Sequence, residues 1–512
     1  MLSRIRSAAV LGIDAFPVEV EVDISRGLPS FSTVGLPNGA VKEGRERVSA
    51  ALGNAGFQFP LRRITVNLAP ADIRKDGSAL DLPIALGLLI ASGQLPEANL
   101  KNSMVLGEVG LEGDLRPIRG ALSVALAARA AGCSGLLLPA DNLSEAGVVQ
   151  ELEVRGARTL VEVCDHLTGV RPIAPARISL NGLMSTRVPD LVDFADVRGQ
   201  AAAKRALEVA AAGAHNILLI GPPGAGKTML ARRLPTILPP PSLDEALETT
   251  RIHSVAGLLG PGQSLCSVRP FRAPHHTVSD AGLIGGGTPP RPGEVSLAHG
   301  GVLFLDELPE FRRNVLEVLR QPLEDGTVTL SRAAMSVSFP ARFMLAAAMN
   351  PCPCGYRGDP VHACHCGPLD VERYRSRVSG PLLDRIDIHL EVPAVPYRDL
   401  AAAPAEEPSS SIRSRVERAR EVQRHRFRDR PGVGANAQMA ARDLRHHCRA
   451  SASVESLLRE AVSRLGLSAR AYHRVLKIAR TIADLDGSDD LTPTHVSEAI
   501  QYRSLDRRRA AA

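Results

Sequence analysis

A glycine-rich octapeptide that follows a short apolar run restricts the fold of this chain more than any other segment. Residues 221–228 read Gly-Pro-Pro-Gly-Ala-Gly-Lys-Thr. Residues 216–220 are typical of a buried parallel strand, and residues 229–234 have helical character. Strand, glycine-rich turn and helix together point backbone N–H groups at an anion. Lys227 would reach the β- and γ-phosphates of a nucleotide, and the Thr228 hydroxyl would bind Mg²⁺. The segment therefore predicts an α/β domain that binds a nucleotide.

Composition indicates a globular, multidomain chain. Its 512 residues suggest about three domains, and 44% hydrophobic with 23% charged residues excludes a disordered chain. Aromatic residues make up only 3%, which disfavours base stacking as the main way of holding a nucleic acid. The net charge of +6 is a weak indication of a polyanionic partner. No signal peptide and no apolar run near the ~18 residues of a membrane span are present, so we expect a cytoplasmic protein without a membrane partner.

Two further strand ends carry polar residues with expected roles in ATP hydrolysis. Residues 301–305 form an apolar run that ends in Asp306 and Glu307. Asp306 would hold the Mg²⁺ shell, and Glu307 would polarise the attacking water. A second apolar run, 343–349, ends at Asn350, which can orient that water and resembles sensor 1 of the AAA+ ATPases. A polar turn at a strand end is the plainer interpretation of Asn350.

Two arginines further along the chain also resemble parts of the AAA+ machinery. Arg385 resembles the arginine finger that enters the site of a neighbouring subunit, and the rival interpretation is a local ion pair with Asp384 or Asp387. Arg470, with Arg474 as the alternative, resembles sensor 2 at the start of a helix; a surface arginine is the plainer interpretation. A finger that acts on a neighbour implies a homo-oligomer, and the resemblance implies a hexamer.

The segment 194–200 resembles the AAA+ segment that lines the adenine pocket, where backbone and apolar atoms make most contacts. Its Val197 and Gln200 therefore join the residues of the octapeptide as expected ATP contacts. The complete predicted set is Gly221, Pro222, Pro223, Gly224, Ala225, Gly226, Lys227, Thr228, Met229, Val197 and Gln200.

Two segments resemble elements of the AAA+ branch that contains magnesium chelatase and the replicative MCM helicases. Residues 271–287 resemble its helix-2 insert, and residues 326–338 resemble its pre-sensor-1 β-hairpin. In helicases of that branch such elements point into a central pore. Arg332, Arg272 and His275 would then contact DNA phosphates, independently of base sequence. An insert that mediates only subunit contacts is the alternative.

Four cysteines lie in two Cys-x-Cys pairs shortly after Asn350. Four thiolates can close a tetrahedral Zn²⁺ shell, and a reducing cytosol keeps them available. The spacing is tighter than the usual Cys-x₂₋₄-Cys, so reduced thiols in a Gly/Pro loop are the alternative, with redox sensing a more distant one. The predicted zinc ligands are Cys352, Cys354, Cys364 and Cys366, with His362 and His365 as spare candidates.

The first part of the chain resembles Lon-type Ser–Lys proteases. Residues 75–79 resemble the nucleophile loop of that family, and residues 106–118 resemble its core. A working dyad needs a lysine shortly afterwards to deprotonate the serine, and no lysine occurs between Lys101 and Lys204. The resemblance therefore implies a Lon-like, S5-like α+β fold without peptidase activity, which could serve as a DNA-binding or ring-forming scaffold.

Periodicity predicts individual elements in this first domain. Alternation of apolar and polar residues indicates strands at 18–24 and 63–68, and an apolar run indicates one at 135–139. Apolar residues at helical spacing indicate helices at 80–92 and 121–131.

Composition divides the chain into three domains and two linkers. The first domain covers residues 1–168, followed by a Pro- and Arg-containing linker, 169–189. The AAA+ domain covers 190–398, an Ala/Pro/Ser-rich linker covers 399–411, and a helical lid domain covers 412–512.

The order of these domains, with Asn-Pro-Cys-Pro-Cys-Gly at 350–355, resembles the YifB/ComM family of magnesium-chelatase-like ATPases. The resemblance implies a hexameric DNA helicase that drives branch migration in recombination during natural transformation, with ATP and Mg²⁺ as cofactors and recombination proteins as partners. The alternatives are the ATPase motor subunit of a metal chelatase, which lacks a Lon-like domain, and an ATP-dependent protease, which the missing lysine opposes.

Overall fold

The computed structural model describes most of the chain up to residue 503. The described residues are 1–37, 39–75, 77–96, 100, 102–179, 192–332, 335–359, 361–395, 406–430 and 432–503. We refer to residues 1–179 as the N-unit, to 192–395 as the P-unit and to 406–503 as the C-unit.

A mixed seven-stranded sheet organises the N-unit, in the order β3-β4-β2-β1-β5-β8-β9. The central strands β1 and β2 are antiparallel, whereas β5, β8 and β9 run parallel to one another. Alternate residues of β4 are buried, as expected when one face of a sheet covers a core. The strands are β1 (Leu2–Leu11), β2 (Asp14–Ser25), β3 (Ser30–Val34), β4 (Arg63–Ala69), β5 (Ser103–Val105), β8 (Gly135–Pro139) and β9 (Glu153–Ala157), with a separate ribbon of β6 (Glu108–Val109) and β7 (Leu115–Arg116).

One helix of the N-unit, α2, is buried over its whole length against this sheet. Its sequence is apolar on all sides, which is typical of a helix enclosed in a core. Its first residue, Asp81, is also buried, and Arg47 compensates the charge with an Nε–Oδ2 distance of 2.7 Å. The helices are α1 (Gly39–Asn54), α2 (Asp81–Ala91), α3 (Ala121–Ala130), α4 (Leu143–Ala146) and α5 (Leu160–Thr168).

A five-stranded parallel sheet organises the P-unit, in the order β11-β14-β17-β10-β18. Every residue of β10, β14 and β17 is buried, which is typical of a parallel sheet covered on both faces. Successive residues of these strands enter two different cores. The strands are β10 (Ile217–Ile220), β11 (Phe271–Arg272), β14 (Val302–Leu305), β17 (Met344–Met349) and β18 (Ile388–Glu391).

Helices and short ribbons surround this sheet. Strands β15 (Thr327–Arg332) and β16 (Met335–Pro340) pair as an antiparallel hairpin, and β12 (Gly285–Gly286) pairs with β13 (Arg291–Pro292). The helices are α6 (Ala201–Gly213), α7 (Lys227–Ile237), α8 (Leu243–Ala256), α9 (Asp280–Ile284), α10 (Glu294–Leu297), α11 (Arg313–Glu317), α12 (Arg320–Asp325), α13 (Pro368–Ser376) and α14 (Gly380–Leu383).

The turn between β1 and β2 of the N-unit packs against the base of the β15–β16 hairpin. Gly12 has φ +65°, and a Cβ atom there would lie 2.5 Å from Val337. Next to it, Ile13 shares a small buried cluster with Val337 and Phe339 of β16. The guanidinium of Arg251 in α8 donates to the Ile13 carbonyl at 3.0 Å. The N-unit therefore supports the hairpin directly.

The C-unit is helical and packs against helices α6 and α7, which cover one face of the P-unit sheet. Helix α15 begins at Ser409, inside the stretch 399–411 that composition predicted to be a linker. That prediction was wrong at its end, because the Ser409 backbone N–H donates to the Asp193 carboxylate at 3.0 Å and anchors the helix. The helices are α15 (Ser409–Phe427), α16 (Ala441–His447), α17 (Ala452–Leu465), α18 (Ala469–Leu485) and α19 (Pro493–Gln501).

No helix in the part of the chain that the structure describes is both long enough and apolar enough to cross a bilayer.

Candidate nucleotide-binding site

The phosphate loop connects β10 to α7 at the carboxyl edge of the P-unit sheet. Gly224 (φ +78°) and Gly226 (φ +84°) take left-handed conformations that favour glycine. Gly221 is constrained by space instead, since a Cβ atom there would lie 2.1 Å from the Val392 carbonyl oxygen. Helix α7 begins directly after the loop, at Lys227, so its unpaired N–H groups face the loop. Local geometry thus builds an anion site.

The ammonium of Lys227 is held inside this loop. It donates to the carbonyl oxygens of Gly221 at 2.7 Å and Pro222 at 2.9 Å, and to Asn350 Oδ1 at 3.1 Å. Burial lowers the pKa of Lys227, and the carboxylates of Asp306 and Glu307 oppose that shift. Lys227 and Asn350, which the sequence predicted to share one site, are in direct contact.

The two predicted acids follow β14 at the same edge. The Thr228 hydroxyl donates to Asp306 at 2.6 Å, so the two expected Mg²⁺ ligands lie together. Glu307 has φ +53°, an uncommon conformation for a non-glycine residue, and its side chain is exposed. Such strain clusters at functional sites. The arrangement leaves the Glu307 carboxylate accessible beside a candidate metal site.

A histidine for which the sequence predicts no role contacts the exposed acid. His276 Nδ1 lies 3.5 Å from the Glu307 carboxylate. Its ring stacks on that of His275, with centroids 4.0 Å apart, and meets the edge of Phe311. Its position next to His275, a predicted DNA contact, was a sequence signal for a functional role. The pairing with Glu307 depends on the close approach of β11 to β14 in the sheet.

The two predicted adenine-pocket residues differ in their surroundings. Val197 is fully buried. Gln200, with φ +56°, donates from its amide to the carbonyl of Pro393 at 2.7 Å and more distantly to that of Ala225. Gln200 therefore lies beside the loop at the start of α6, whereas Val197 is part of the P-unit core.

The four predicted zinc ligands converge in one cluster. The Sγ atoms all lie within 4.8 Å of one another. Cys352 and Cys354 are 3.4 Å apart, and Cys364 lies 3.7 and 3.6 Å from them. Tetrahedral Zn²⁺ with Zn–S bonds near 2.3 Å places its sulfurs roughly 3.8 Å apart. The sulfur positions therefore fit a tetrahedral zinc shell.

Arg385 lies at the amino edge of the sheet, away from the phosphate loop. It precedes β18, is buried, and lines a cavity of about 540 Å³ with Asn216 and Met344, which stand at the starts of β10 and β17. Its guanidinium pairs with Glu324, not with the Asp384 or Asp387 of the rival interpretation. Its Nε is buried without a partner among the described residues.

The structure also distinguishes the two arginines of α18. Arg474 lines the same cavity as Arg385 and pairs with Asp387, whereas Arg470 is exposed and is not part of that lining. Asp387 in turn lies 3.1 Å from His215 Nδ1. Burial lowers the pKa of His215 well below its usual range, so that ring is neutral. Of the two candidates for sensor 2, Arg474 thus borders the cavity at the amino edge, and Arg470 does not.

The three predicted DNA contacts are in different situations. Arg272 makes a bidentate ion pair with Glu294, at 2.6 and 2.7 Å, and this bonding raises its pKa. His275 is exposed and shares a hydrogen bond with Thr277 at 2.9 Å. Arg332 ends β15 next to the hairpin tip, and its side chain lies outside the described residues. Of the first two, His275 is therefore the more accessible.

The predicted protease loop lies in the N-unit before α2. Ser78 donates its hydroxyl to Glu108, and Lys75 is buried with its ammonium on the Pro70 carbonyl. Burial lowers the pKa of Lys75. Asp76 of the same predicted segment lies outside the described residues. The Ser78 hydroxyl thus bonds to a carboxylate and not to a lysine.

The comparisons with known proteins agree with the P-unit geometry. Family profiles described as "Magnesium chelatase, subunit ChlI", "Subunit ChlI of Mg-chelatase" and "Magnesium chelatase, subunit ChlI C-terminal" match residues 193–400, 20–142 and 406–503. Fold, phosphate loop and paired acids together define a magnesium-chelatase-like ATPase of the AAA+ class.

Full-length relatives narrow this class to a family. The chain is 44% identical over 512 residues to the uncharacterized protein YifB of Salmonella typhimurium, covering 99% of this chain and 98% of that protein. It is 44% identical over 514 residues to the competence protein ComM of Haemophilus influenzae, with the same coverage. The chain belongs to the YifB/ComM family. An archaeal Lon protease of Halobacterium salinarum is 34% identical over 112 residues, which cover 21% of this chain and 16% of that protein.

Proposed function

We propose that the chain is an ATP-driven DNA translocase that works as a homo-oligomeric ring, most simply a hexamer in the cytoplasm, and promotes branch migration in recombination. The observation that carries the proposal is the contact of His276 with Glu307. It joins the insert expected to contact DNA to the acid expected to activate water. The name of the Haemophilus relative supports a role in natural transformation, with recombination proteins as partners.

The carboxyl edge supplies the chemistry within one chain. Thr228 and Asp306, already hydrogen-bonded to each other, would bind Mg²⁺, which neutralises charge on the phosphates. Lys227 would hold the β- and γ-phosphates. Asn350 would orient both the Lys227 ammonium and the attacking water. Glu307 would accept the proton of that water as it attacks the γ-phosphate.

The amino edge would supply the rest from a neighbouring copy. Arg385 and Arg474 border the cavity at the amino edge of the sheet, which is opposite to the phosphate loop. They therefore cannot reach a nucleotide bound to their own loop, but they can face one held by the next subunit of a ring. An oligomer is then a requirement of catalysis.

A second candidate function is that of an ATPase motor that remodels a metal-chelatase partner. Profile matches to chelatase subunit ChlI along all three units favour it. The hairpin supported by the N-unit would then contact a protein and not DNA. Dependence of ATP turnover on a partner protein, with indifference to DNA, separates this candidate from the translocase.

The three-domain division belongs to the same proposal. Residues 1–168 would be an inactive Lon-like scaffold, 190–398 the motor and 409–512 the lid, joined by the linkers 169–189 and 399–408. The match to Lon proteases and the hydrogen bond from Ser78 to Glu108 support a scaffold that has lost its dyad. Cys352, Cys354, Cys364 and Cys366 would hold a structural Zn²⁺.

ATP hydrolysis with and without single-stranded and branched DNA tests the function. We expect strong stimulation by DNA, lost in Lys227→Ala through weak nucleotide binding and in Glu307→Gln with binding retained. Loss of the general base in Glu307→Gln should reduce ATP turnover by at least about 10²-fold. Arg464→Ala, an exposed arginine of the C-unit, serves as control. Turnover that no DNA changes would contradict the translocase.

A further inference from the structure

The cysteine cluster is packed directly onto the phosphate loop. Gly355, which follows the first Cys-x-Cys pair, has φ +86°, and a Cβ atom there would lie 2.6 Å from Cδ of Pro223. Pro223 belongs to the phosphate loop itself. The same hypothetical Cβ would lie 3.9 Å from Asn350. The turn carrying Cys354 is therefore seated on the loop that would surround the phosphates.

The cluster is also continuous with the residue that contacts Lys227. Cys352 is fully buried and follows Asn350 by two positions along the chain. Asn350 accepts a hydrogen bond from the Lys227 ammonium at 3.1 Å. A shift of the Cys352 backbone would therefore move the amide that positions the lysine.

Regular structure does not hold this segment in place. Residues 350–359 and 361–367 contain no helix or strand. Most of its described hydrogen bonds are made within the segment, such as that from Gly355 N–H to the Cys352 carbonyl at 3.0 Å, whereas Arg375 of α13 donates to the Pro351 carbonyl at 3.3 Å. A tetrathiolate metal would tie both ends of the segment to each other and fix the turn on Pro223.

We propose that zinc bound by the four cysteines acts as a clamp on the phosphate loop and thereby controls the affinity of the protein for ATP. The inference rests on the zinc site of the proposed function and adds a regulatory task to it. With zinc bound, Gly355 presses on Pro223 and Asn350 orients Lys227. Without zinc, the segment relaxes, and the phosphate loop loses both supports.

Two substitutions in the full-length protein separate metal binding from coupling. Cys364→Ser removes one ligand, and we expect it to lose zinc and to bind a fluorescent ATP analogue about tenfold more weakly, as for loss of one hydrogen bond to a charged group. Gly355→Ala keeps all four thiolates but places a methyl group against Pro223. We expect it to retain zinc and still bind the analogue several-fold more weakly, about threefold or more. Cys133→Ser, a buried thiol of the N-unit, is the control.

Zinc content by elemental analysis and nucleotide affinity by titration are measured on each protein. Absence of zinc from the unmodified protein would overturn the zinc site itself. Zinc bound by the unmodified protein and lost in Cys364→Ser, with unchanged affinity in both variants, would overturn the clamp while leaving the zinc site standing. Should Cys364→Ser fail to fold, stripping zinc from the unmodified protein with a thiol-blocking mercurial and a chelator, together with Gly355→Ala, decides the same question.

Discussion

The two edges of the P-unit sheet carry two separate sets of the residues that we predict to act in ATP hydrolysis. At the carboxyl edge, Lys227, Thr228 and Asp306 lie within hydrogen-bond reach of their partners. At the amino edge, Arg385 and Arg474 border a polar cavity of about 540 Å³. Strand β10, with four residues, separates the edges by about 13 Å. Under the proposed function, each chain would hold one nucleotide at its carboxyl edge and assist hydrolysis of another with its amino edge.

Arg385→Ala gives the sharpest test of this division. We expect ATP turnover to fall by about 10³-fold, as for other arginine fingers, with nucleotide binding retained, because the side chain is remote from the phosphate loop. Steady-state hydrolysis and fluorescent-nucleotide titration measure the two effects. Glu324→Gln is the matched control, since it removes the ion-pair partner and keeps the cation. Equal losses in both variants would make Arg385 a structural ion pair.

Mixing Arg385→Ala with Lys227→Ala extends the same prediction. A mixed ring contains interfaces with an intact Lys227 from one subunit and an intact Arg385 from the next. We expect partial recovery of turnover on mixing. If ATP turnover at every mixing ratio stayed at the sum of the two variants measured alone, both edges would act within one chain.

The two arginines of α18 are expected to differ by a smaller factor. Arg474→Ala should reduce turnover by about tenfold, comparable with loss of a charged hydrogen bond, and Arg470→Ala by less than about twofold. Thermal melts accompany the assays, because Arg474 also pairs with Asp387. A larger effect of Arg470→Ala would restore the sequence-based preference for Arg470 and contradict a sensor 2 role for Arg474.

His276→Ala and His275→Ala are expected to separate coupling from binding at the carboxyl edge. Loss of His276 should lower maximal DNA stimulation by roughly fivefold, because Glu307 loses its contact with the insert. Loss of the exposed His275 should instead raise the DNA concentration needed for half stimulation. DNA titrations of ATP turnover distinguish the two effects. Identical behaviour of the variants would refute a link between the insert and Glu307.

The smallest expected effect concerns Lys477, which lines the cavity at the amino edge. Burial, reinforced by Arg474, lowers its pKa to about 8. The unfolded chain binds the Lys477 proton more tightly than the folded chain does, so this proton lowers the free energy of unfolding at and below pH 8. The loss of stability becomes smaller as the pH rises from about 8 towards the usual pKa of lysine. Between pH 7 and pH 9 we expect the unfolding free energy to rise by about 1 kcal/mol relative to Lys477→Met. Parallel pH curves in denaturant unfolding would contradict this burial.

Local patterns in the sequence predicted the carboxyl edge well. The apolar runs 301–305 and 343–349 became β14 and β17, and the octapeptide became the phosphate loop, because short-range sterics and burial determine such elements. In the N-unit, the predicted helix 80–92 is α2, and the predicted strand 135–139 is β8. The chain order of strand and polar end is enough to place these residues on one edge.

The amino edge and the insert depend on contacts between distant segments, which no local pattern encodes. Nothing in the sequence around Arg385 points to Glu324 as its partner. The choice between Arg470 and Arg474 depends on which face of α18 packs against the P-unit. Likewise, His276 meets Glu307 only because β11 and β14 are neighbours in the sheet. Strand β1 was not predicted, since its short apolar patch carries no clear alternation.

The packing of the β1–β2 turn on the hairpin has a mechanical consequence. An isolated two-stranded hairpin is only marginally stable, and Val337 and Phe339 bury their side chains partly against Ile13. Any ATP-driven movement of the hairpin must therefore move the seven-stranded sheet of the N-unit with it or break this contact. The N-unit, which resembles a protease without its lysine, would then act as a lever arm. Its displacement relative to the P-unit sheet would accompany each turnover of ATP.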